Sequence, residues 1–503
     1  MNVASSVDFG DIQGIIRFGH LHMTEACYFL VRVRSAAAAR AWLASAPVTA
    51  AVKLAKRPSR ALQIALTRPG LEALGVPAGV IRGFSAEFIA GMAADENRSR
   101  RLGDVDRNSP STWGWGRGDR LPHAVVMVFA DEGGLDSWKV SVRGPLWKDA
   151  FEEITCLSTS DMKGREHFGF IDGISQPWID WDQTRTAPIN GYQRTYSNLA
   201  CLGEFLLGYR NEYGQYTERP LLDPQEPGSS ELPFAEDQPE KRDLGRNGTY
   251  LVMRQLAQDV RGFWQFLDRA TISNPAERNK LGSSMVGRMV SDGSPLVPLS
   301  PAAIPGIADG AGTPPNRFTY DSDAEGVGCP YGAHIRRANP RTADIPGDPE
   351  GLISTLVHTL GFGNRNLRDD LIASARFHRI LRRGREYGPS LTPEEALGPA
   401  PQSDPERGLH FVAINGSIQR QFEFIQNAWI MRTKFNGLTE ESDPLLGNRA
   451  ALRGCRFTDT FSIPQRDTVP RRIMDLPQFI TVRGGAYFFL PGMRALRYLS
   501  GLA

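Results

Sequence analysis

The chain has 503 residues, with 58 Lys and Arg set against 56 Asp and Glu for a net charge of +2. That balance excludes a dedicated nucleic-acid or membrane-surface protein, and at about 150 residues per domain the length allows two to four domains with a large core. Apolar residues make up 41%, which excludes collagen and disorder, while 51 Gly and 35 Pro point to long shaped loops between ordinary hydrophobic elements.

The five cysteines, Cys27, Cys156, Cys201, Cys329 and Cys455, are scattered and odd in number. With no CxxC pair to hold zinc or exchange thiols, they fit a reduced compartment. The longest apolar run, residues 124–130, is far shorter than the roughly 18 to 20 residues of a transmembrane helix. The opening MNVASSVDFGDIQGIIRFGH lacks a cationic n-region, an apolar h-region and a twin arginine. The expectation is a cytoplasmic protein with no membrane partner.

Along the chain, YFLVRVR (28–34) ends in apolar/charged alternation and reads as a strand, and the Ala-rich run 35–46 after it reads as a helix. ALQIAL (61–66) is a second strand, 69–74 begins a short helix, and HAVVMVFA (123–130) is a third strand before the helix-compatible 135–142. No GxGxxG follows any of them, which favours an α+β arrangement with antiparallel sheet over a doubly wound nucleotide fold. The Pro, Gly, Ser and acid-rich stretch 221–242 has no apolar periodicity and marks a boundary between domains at 1–225 and 226–503. Strand-helix alternation then restarts, with GTYLVMR (248–254) as strand and DVRGFWQFLDRA (259–270) as amphipathic helix. An irregular stretch covers 294–316, and FITVRGGAYFFL (479–490) predicts two strands joined at Gly484-Gly485.

Four segments can carry chemistry. In EHFGFIDGISQP (166–177), Asp172 is flanked by glycines and apolar residues, which suits a carboxylate set by a sharp turn into a restricted pocket for acid/base work; an Asp-Gly turn that merely caps a hairpin fits the same pattern. In CPYGAHIRRANPR (329–341), His334 among small residues and three arginines behind it can offer an axial nitrogen to haem and countercharges to its propionates. A structural histidine in a basic loop is the plainer alternative. HRILRRGREYG (378–388) can point one arginine inward, where it would stabilise charge on a breaking O–O bond, or can be a solvated basic helix end. In the strand and helix of 408–429, Glu423 sits among aromatics and can receive the second ring N–H of a metal-bound histidine, or belong to an ordinary amphipathic helix. The run DSDAEG (321–326) begins like a calcium loop but has Gly332 where the twelfth-position Glu belongs. GxSxG, HExxH and P-loop motifs are absent from the sequence.

In this order, GFIDGISQP, CPYGAHIRRANPR, HRILRRGREYG and QFEFIQ resemble the dye-decolourising (DyP-type) haem peroxidases, and their larger subfamilies in length. DIQG (11–14), GEFLLGYRNEYG (203–214), GTYLV (248–252), QDV (258–260) and VGR (286–288) extend the resemblance over nearly the whole chain. The resemblance implies two ferredoxin-like α+β halves, antiparallel sheets packed with helices, with the first half contributing the GFIDG motif and one non-covalent haem b in the C-terminal half. It implies His334 as proximal iron ligand, Asp172 as distal acid/base, Arg382 as distal arginine, Arg341 as a propionate partner and Glu423 as the group orienting His334. Arg383 or Arg379 replaces Arg382 if the register is shifted across the long connection 344–375. The implied reaction is reduction of hydrogen peroxide with one-electron oxidation of bulky aromatic donors, the oxidising equivalent leaving through rings such as Trp264, Trp429 or Tyr387. A non-enzymatic haem carrier or sensor is the alternative, needing His334 but not Asp172 or Arg382.

Overall fold

The computed structural model describes residues 7–184, 198–299, 316–342, 374–451 and 458–502. All but the last two residues of the connection 344–375, and the greater part of 294–316, lie outside them.

Nine strands form one sheet: β1 (Glu25–Val33), β2 (Arg60–Leu66), β3 (Ala124–Ala130), β4 (Phe151–Ser158), β5 (Thr249–Gln258), β6 (Leu381–Arg382), β7 (Arg385–Tyr387), β8 (Gly408–Asn415) and β9 (Ile480–Leu490). Every neighbouring pair is antiparallel, in the order β6-β8-β5-β9-β2-β3-β1-β4, with β7 beside β6 on β8. Numbered within itself, each half has the order 4-1-3-2. In the second half β6 and β7 serve together as the second strand, broken at Gly384, where a Cβ would lie 2.5 Å from the His410 carbonyl oxygen. The fold is α+β with two ferredoxin-like halves. They fuse where Phe489 of β9 pairs with Leu66 of β2.

Both faces of the sheet are covered, which is why its strands read as nearly continuous apolar runs rather than alternating ones. Cys27, Phe29 and Val31 of β1 pack toward the helices on one face, while Ala26, Tyr28 and Leu30 join the cluster on the other with Ile15, Phe205 and Phe488. The helices bury amphipathic faces and start at side-chain caps. Ser35 accepts from the Ala38 N–H before Ala36–Ser45, and Asp259 from the Gly262 N–H before Val260–Ala270. Among the described residues no helix is long and apolar enough to cross a membrane.

The Gly484-Gly485 hairpin expected from sequence is not formed. Residues 480–490 are one strand, with a register shift between Val482 and Gly484. The glycines serve close approach instead. The buried Trp115 indole lies where a Gly484 Cβ would be, 2.5 Å away, and donates through Nε1 to Gln255 of β5 at 2.9 Å. Gly484→Ala should therefore force the indole or the strand to move and cost about 1–3 kcal/mol. An unchanged midpoint in denaturant unfolding would refute that packing.

Candidate functional site

Among the described residues, 159–184 and 198–248 stay outside the main sheet, and their first part docks onto the second half. Ser160 donates through its N–H to the Glu386 carbonyl (2.8 Å), and a His167 ring nitrogen pairs with the Tyr387 carbonyl (2.8 Å). Phe168 packs on Phe263 with ring centroids 4.5 Å apart. Residues 164–172 form a tight hairpin, closed by the Asp172 N–H on the Gly164 carbonyl and by a bridge between Arg165 and Ile171. The buried Glu166 carboxylate braces it, accepting the Phe168 and Phe170 N–H groups at 2.9 Å and the Gln258 amide at 2.8 Å. Gly169 (φ +94°) and Gly173 (φ +80°) adopt left-handed conformations that side chains disfavour, and between them the chain turns Asp172 into a cavity.

That cavity, about 280 Å³, lies between the hairpin, the sheet face of the second half and the helical turns of 419–431. Those turns are π-helical, the wide-turn form that recurs at functional sites, and they contribute Ile425, Ile430 and Met431 to the wall. With Ile174, Phe318, Ile335, Ile380 and Leu446 the lining is mostly apolar, and the charged groups converge at a few points.

Asp172 and Arg382 meet on one side: Arg382 Nη1 donates to Asp172 Oδ1 at 2.7 Å, and both side chains keep about a third of their exposure. Burial pushes the Asp172 carboxyl up, but the Arg382 charge, the Gly173 N–H and the His334 charge outweigh it, so the group is held below the ordinary Asp value. Gln176, four residues past Asp172, accepts from the Arg382 N–H at 3.0 Å and so registers β6 against the motif loop. The neighbouring arginines are held by other groups. Arg383 donates to the Ile15 and Ile16 carbonyls at 2.8 and 2.7 Å, and Arg379 to the Asn198 amide oxygen at 2.8 Å. The residue paired with Asp172 is thus Arg382.

His334 opens the short helix His334–Ala338 and lines the same cavity. Its Nδ1 lies 2.9 Å from Oδ2 of Asp443, a carboxylate with no solvent exposure. The other Asp443 oxygen accepts the Leu445 and Leu446 N–H groups at 2.9 and 2.8 Å. Burial favours the neutral acid, yet the His334 and Arg337 charges and these N–H groups hold Asp443 below its ordinary value, and so anionic. The expectation for Glu423 is corrected here. It lies on the far side of the π-helical turns, accepts the Tyr487 hydroxyl at 2.8 Å and pairs with Arg98 at 3.5 Å. The π-helical winding turns Glu423 toward β9, and the loop after those turns brings Asp443 to the histidine across 109 residues of sequence.

The three arginines after His334 divide. Arg336 is bound to Asp323 and the Cys329 carbonyl, and Arg337 to the Trp429, Arg432 and Glu441 carbonyls, so both pin the loop rather than face the cavity. Asp323, the third residue of the failed calcium pattern, is used up by Arg336 and by the Gly328 and Cys329 N–H groups at 2.8 Å. Arg341 lines the cavity, stacked 3.8 Å over Phe318 and donating to Asn316 and to the Phe318 carbonyl. Arg288 lines it too, donating to Ser175 at 2.8 Å and to the Gly293 carbonyl at 2.7 Å. Burial and the charges of Arg341 and Arg382 pull its guanidinium down to about 10, the mark of a cavity crowded with positive charge. The other imidazole of the cavity, His378, stacks at 3.5 Å on Phe424 with Nδ1 on the Arg420 carbonyl, and burial takes it down to about 4. Trp264, Trp429 and Tyr387, expected as exits for oxidising equivalents, are all buried.

Comparison with known proteins places this geometry. No family model matches the chain. It is 28% identical over 517 residues to dye-decolorizing peroxidase msp1 of Mycetinis scorodonius, covering 98% of this chain and 88% of that one. It is likewise 28% identical over 518 residues to dye-decolorizing peroxidase AauDyP1 of Auricularia auricula-judae, covering 98% and 87%. The crystal structure of a fungal DyP-type peroxidase from Auricularia auricula-judae superposes with a TM-score of 0.71 at 26% identity, over 99% of this chain and 100% of that one. Sequence similarity and architecture are thus shared with dye-decolorizing peroxidases over almost the full length of the chain.

Proposed function

We propose that the cavity binds one b-type haem without covalent attachment, whose iron His334 would hold, and that the chain uses it as a peroxidase that reduces hydrogen peroxide and oxidises bulky aromatic donors. The observation that carries this reading is the arrangement of one carboxylate-bound imidazole and one Asp–Arg pair on a single apolar cavity.

The donor set fits a haem rather than a bare ion. Among the described residues no cluster of three His, Cys, Asp or Glu can hold a metal, whereas a single imidazole suits an iron that brings its other ligands in a porphyrin. The positive charge of Arg288 and Arg341 suits anionic propionates, and the sequence has no CxxCH for covalent attachment. When bound, haem supplies the two-electron reduction of peroxide and the one-electron oxidation of donors.

The chain's own residues do the rest. Asp443 accepts the Nδ1–H of His334, which fixes the ring and leaves Nε2 as a more basic ligand. Asp172, ionised in the field of Arg382, takes the proton of bound peroxide and returns it to the leaving oxygen. Arg382 orients that carboxylate and puts positive charge where negative charge develops on the peroxide oxygen. A carrier or sensor would use His334 and the basic groups but leave the Asp172–Arg382 pair without a role. The five scattered cysteines support a reducing, cytoplasmic setting.

Purified protein should show a Soret band that His334→Ala alters or abolishes, while Asp443→Asn should bind haem about 10- to 100-fold more weakly. A wild-type spectrum and haem occupancy in His334→Ala would remove that residue as ligand.

Arg382→Leu should retain haem yet react with hydrogen peroxide about a hundredfold more slowly or worse, the cost of one lost electrostatic donor. Stopped-flow rates that are normal in Arg382→Leu and collapse in Arg383→Leu would move the role to the next residue.

Because the folded pKa of Asp172 is depressed, its basic form is available at neutral pH and is lost only as pH falls below the ordinary Asp range. The donor step gains from protons, so the steady-state profile with an anthraquinone dye should peak on the acid side. A maximum at or above about pH 7, or an unchanged profile in Asp172→Asn, would overturn this role for Asp172.

A further inference from the structure

At the outer edge of the sheet, away from the cavity, two of the scattered cysteines come together. β1 pairs with β4 so that Cys27 faces Ser158 and Phe29 faces Cys156, which puts the two cysteines on one face as a diagonal pair. Their sulfurs are 2.8 Å apart. A covalent bond requires about 2.05 Å, so closure needs less than about 1 Å of movement. β4 is the last strand of the sheet, free to make that adjustment because no further strand is paired with its outer side.

The two thiols are unlike. Cys27 is buried in the helix-side core and Cys156 is exposed. Hydrogen bonding from Cys27 pulls the Cys156 thiol below its ordinary value, against burial; Lys139 and Arg143 assist and Glu153 opposes. Hydrogen bonding to Cys156, then burial, pushes Cys27 up, so of the two sulfurs the solvent-facing one ionises first. Glu153 is itself engaged by Arg143 and by the Trp147 indole N–H at 2.7 Å, which limits its opposition.

We propose that Cys27 and Cys156 are a peroxide-responsive dithiol that closes to a reversible disulfide across the edge of the sheet. The Cys156 thiolate attacks hydrogen peroxide. An S–O bond forms and the O–O bond breaks, leaving Cys156 sulfenic acid and a hydroxide that takes up a proton to become water. Cys27 then attacks that sulfur. The S–S bond forms, the S–O bond breaks, and the departing hydroxide takes the Cys27 proton as a second water. The two sulfurs lose two electrons in all and one hydrogen peroxide gains them. Peroxide is also the substrate proposed for the cavity, so the same oxidant meets both sites, and in a reducing compartment cellular thiols reopen the bond. The crosslink ties the edge strand to its neighbour and closes a long loop of chain, which stabilises the first half against unfolding.

The test is thiol counting on the haem-loaded protein after brief treatment with a few equivalents of hydrogen peroxide, removal of the excess, and alkylation in denaturant. Alkylated cysteines should fall from five to three, a Cys27–Cys156 crosslinked peptide should appear by mass spectrometry, and dithiothreitol should restore all five. In Cys27→Ser, Cys156 should stop at a dimedone-trapped sulfenic acid. In Cys156→Ser, all four remaining thiols should survive. Five alkylated cysteines after peroxide, a crosslink confined to Cys201, Cys329 or Cys455, or wild-type Cys156 oxidised while Cys27 still alkylates would each overturn the proposal. Because the haem site consumes the same peroxide, the counts are repeated on haem-loaded Arg382→Leu, in which that reaction is slowed, so the dithiol can fail while the haem assignment stands, and the reverse.

Discussion

The Asp443 carboxylate is withdrawn entirely from solvent, yet it stays ionised because His334 and two backbone N–H groups occupy its oxygens. A carboxylate taken out of water without partners would cost several kcal/mol and would protonate instead. The same requirement shapes the opposite side, where Asp172 faces the cavity only because Arg382 comes with it. Deeper in the cavity wall, the buried Asp104 is paired with Arg254 of β5. Each of these carboxylates has a fixed answering group, and the elements carrying those groups have little freedom to drift. The motif hairpin, β6, the short helix at His334 and the loop after the π-helical turns are held in one register by these pairs.

The two halves share a strand order but not a use. On the helix side of the first half, Trp42, Trp147 and Phe151 fill the space edge-to-face, with centroids 5.0 to 5.3 Å apart, and Phe29 of β1 lies 5.5 Å from Trp147. The second half keeps space in its core for the cavity, where the walls are Ile, Leu and Met with arginines between them. π-helical turns widen the wall where a tighter α-helix would carry different side chains inward. The chain between the halves sends its hairpin across to cover that cavity, so the site draws on residues more than 200 positions apart. Fusing the sheets through β9 and β2 leaves β4 as one outer edge, and there, among the described residues, the strand neighbour of Cys156 is the strand bearing Cys27.

Strands were legible in sequence because apolar runs of six or seven residues leave few alternatives, and residues 60–66 and 124–130 match their expected spans within a residue. The helices that follow Ser35 and Asp259 were legible through an Ala-rich run and an amphipathic pattern, and the structure adds their side-chain caps. Gly484-Gly485 was misread because a glycine pair that turns the chain and one that makes room for Trp115 are identical in sequence. Glu423 was misread for a related reason. An acid among aromatics suits a buried partner, and Glu423 has one, but in Tyr487 and Arg98 rather than His334. Asp443 stands in an acidic loop with no local mark of its role. Local pattern records what a residue can do and not which distant group it meets.

By itself the sequence determined the α+β class, the antiparallel strands and the residue types of the site, because hydrophobic periodicity, turn chemistry and the functional groups of Asp, His and Arg are properties of short segments. The tertiary structure decided which arginine of three faces Asp172, which acid holds His334, which cations border the cavity and which cysteines touch. Those choices rest on compensating buried charge and filling space between segments far apart in the chain, and neither balance exists until the sheet has closed and water has been driven out.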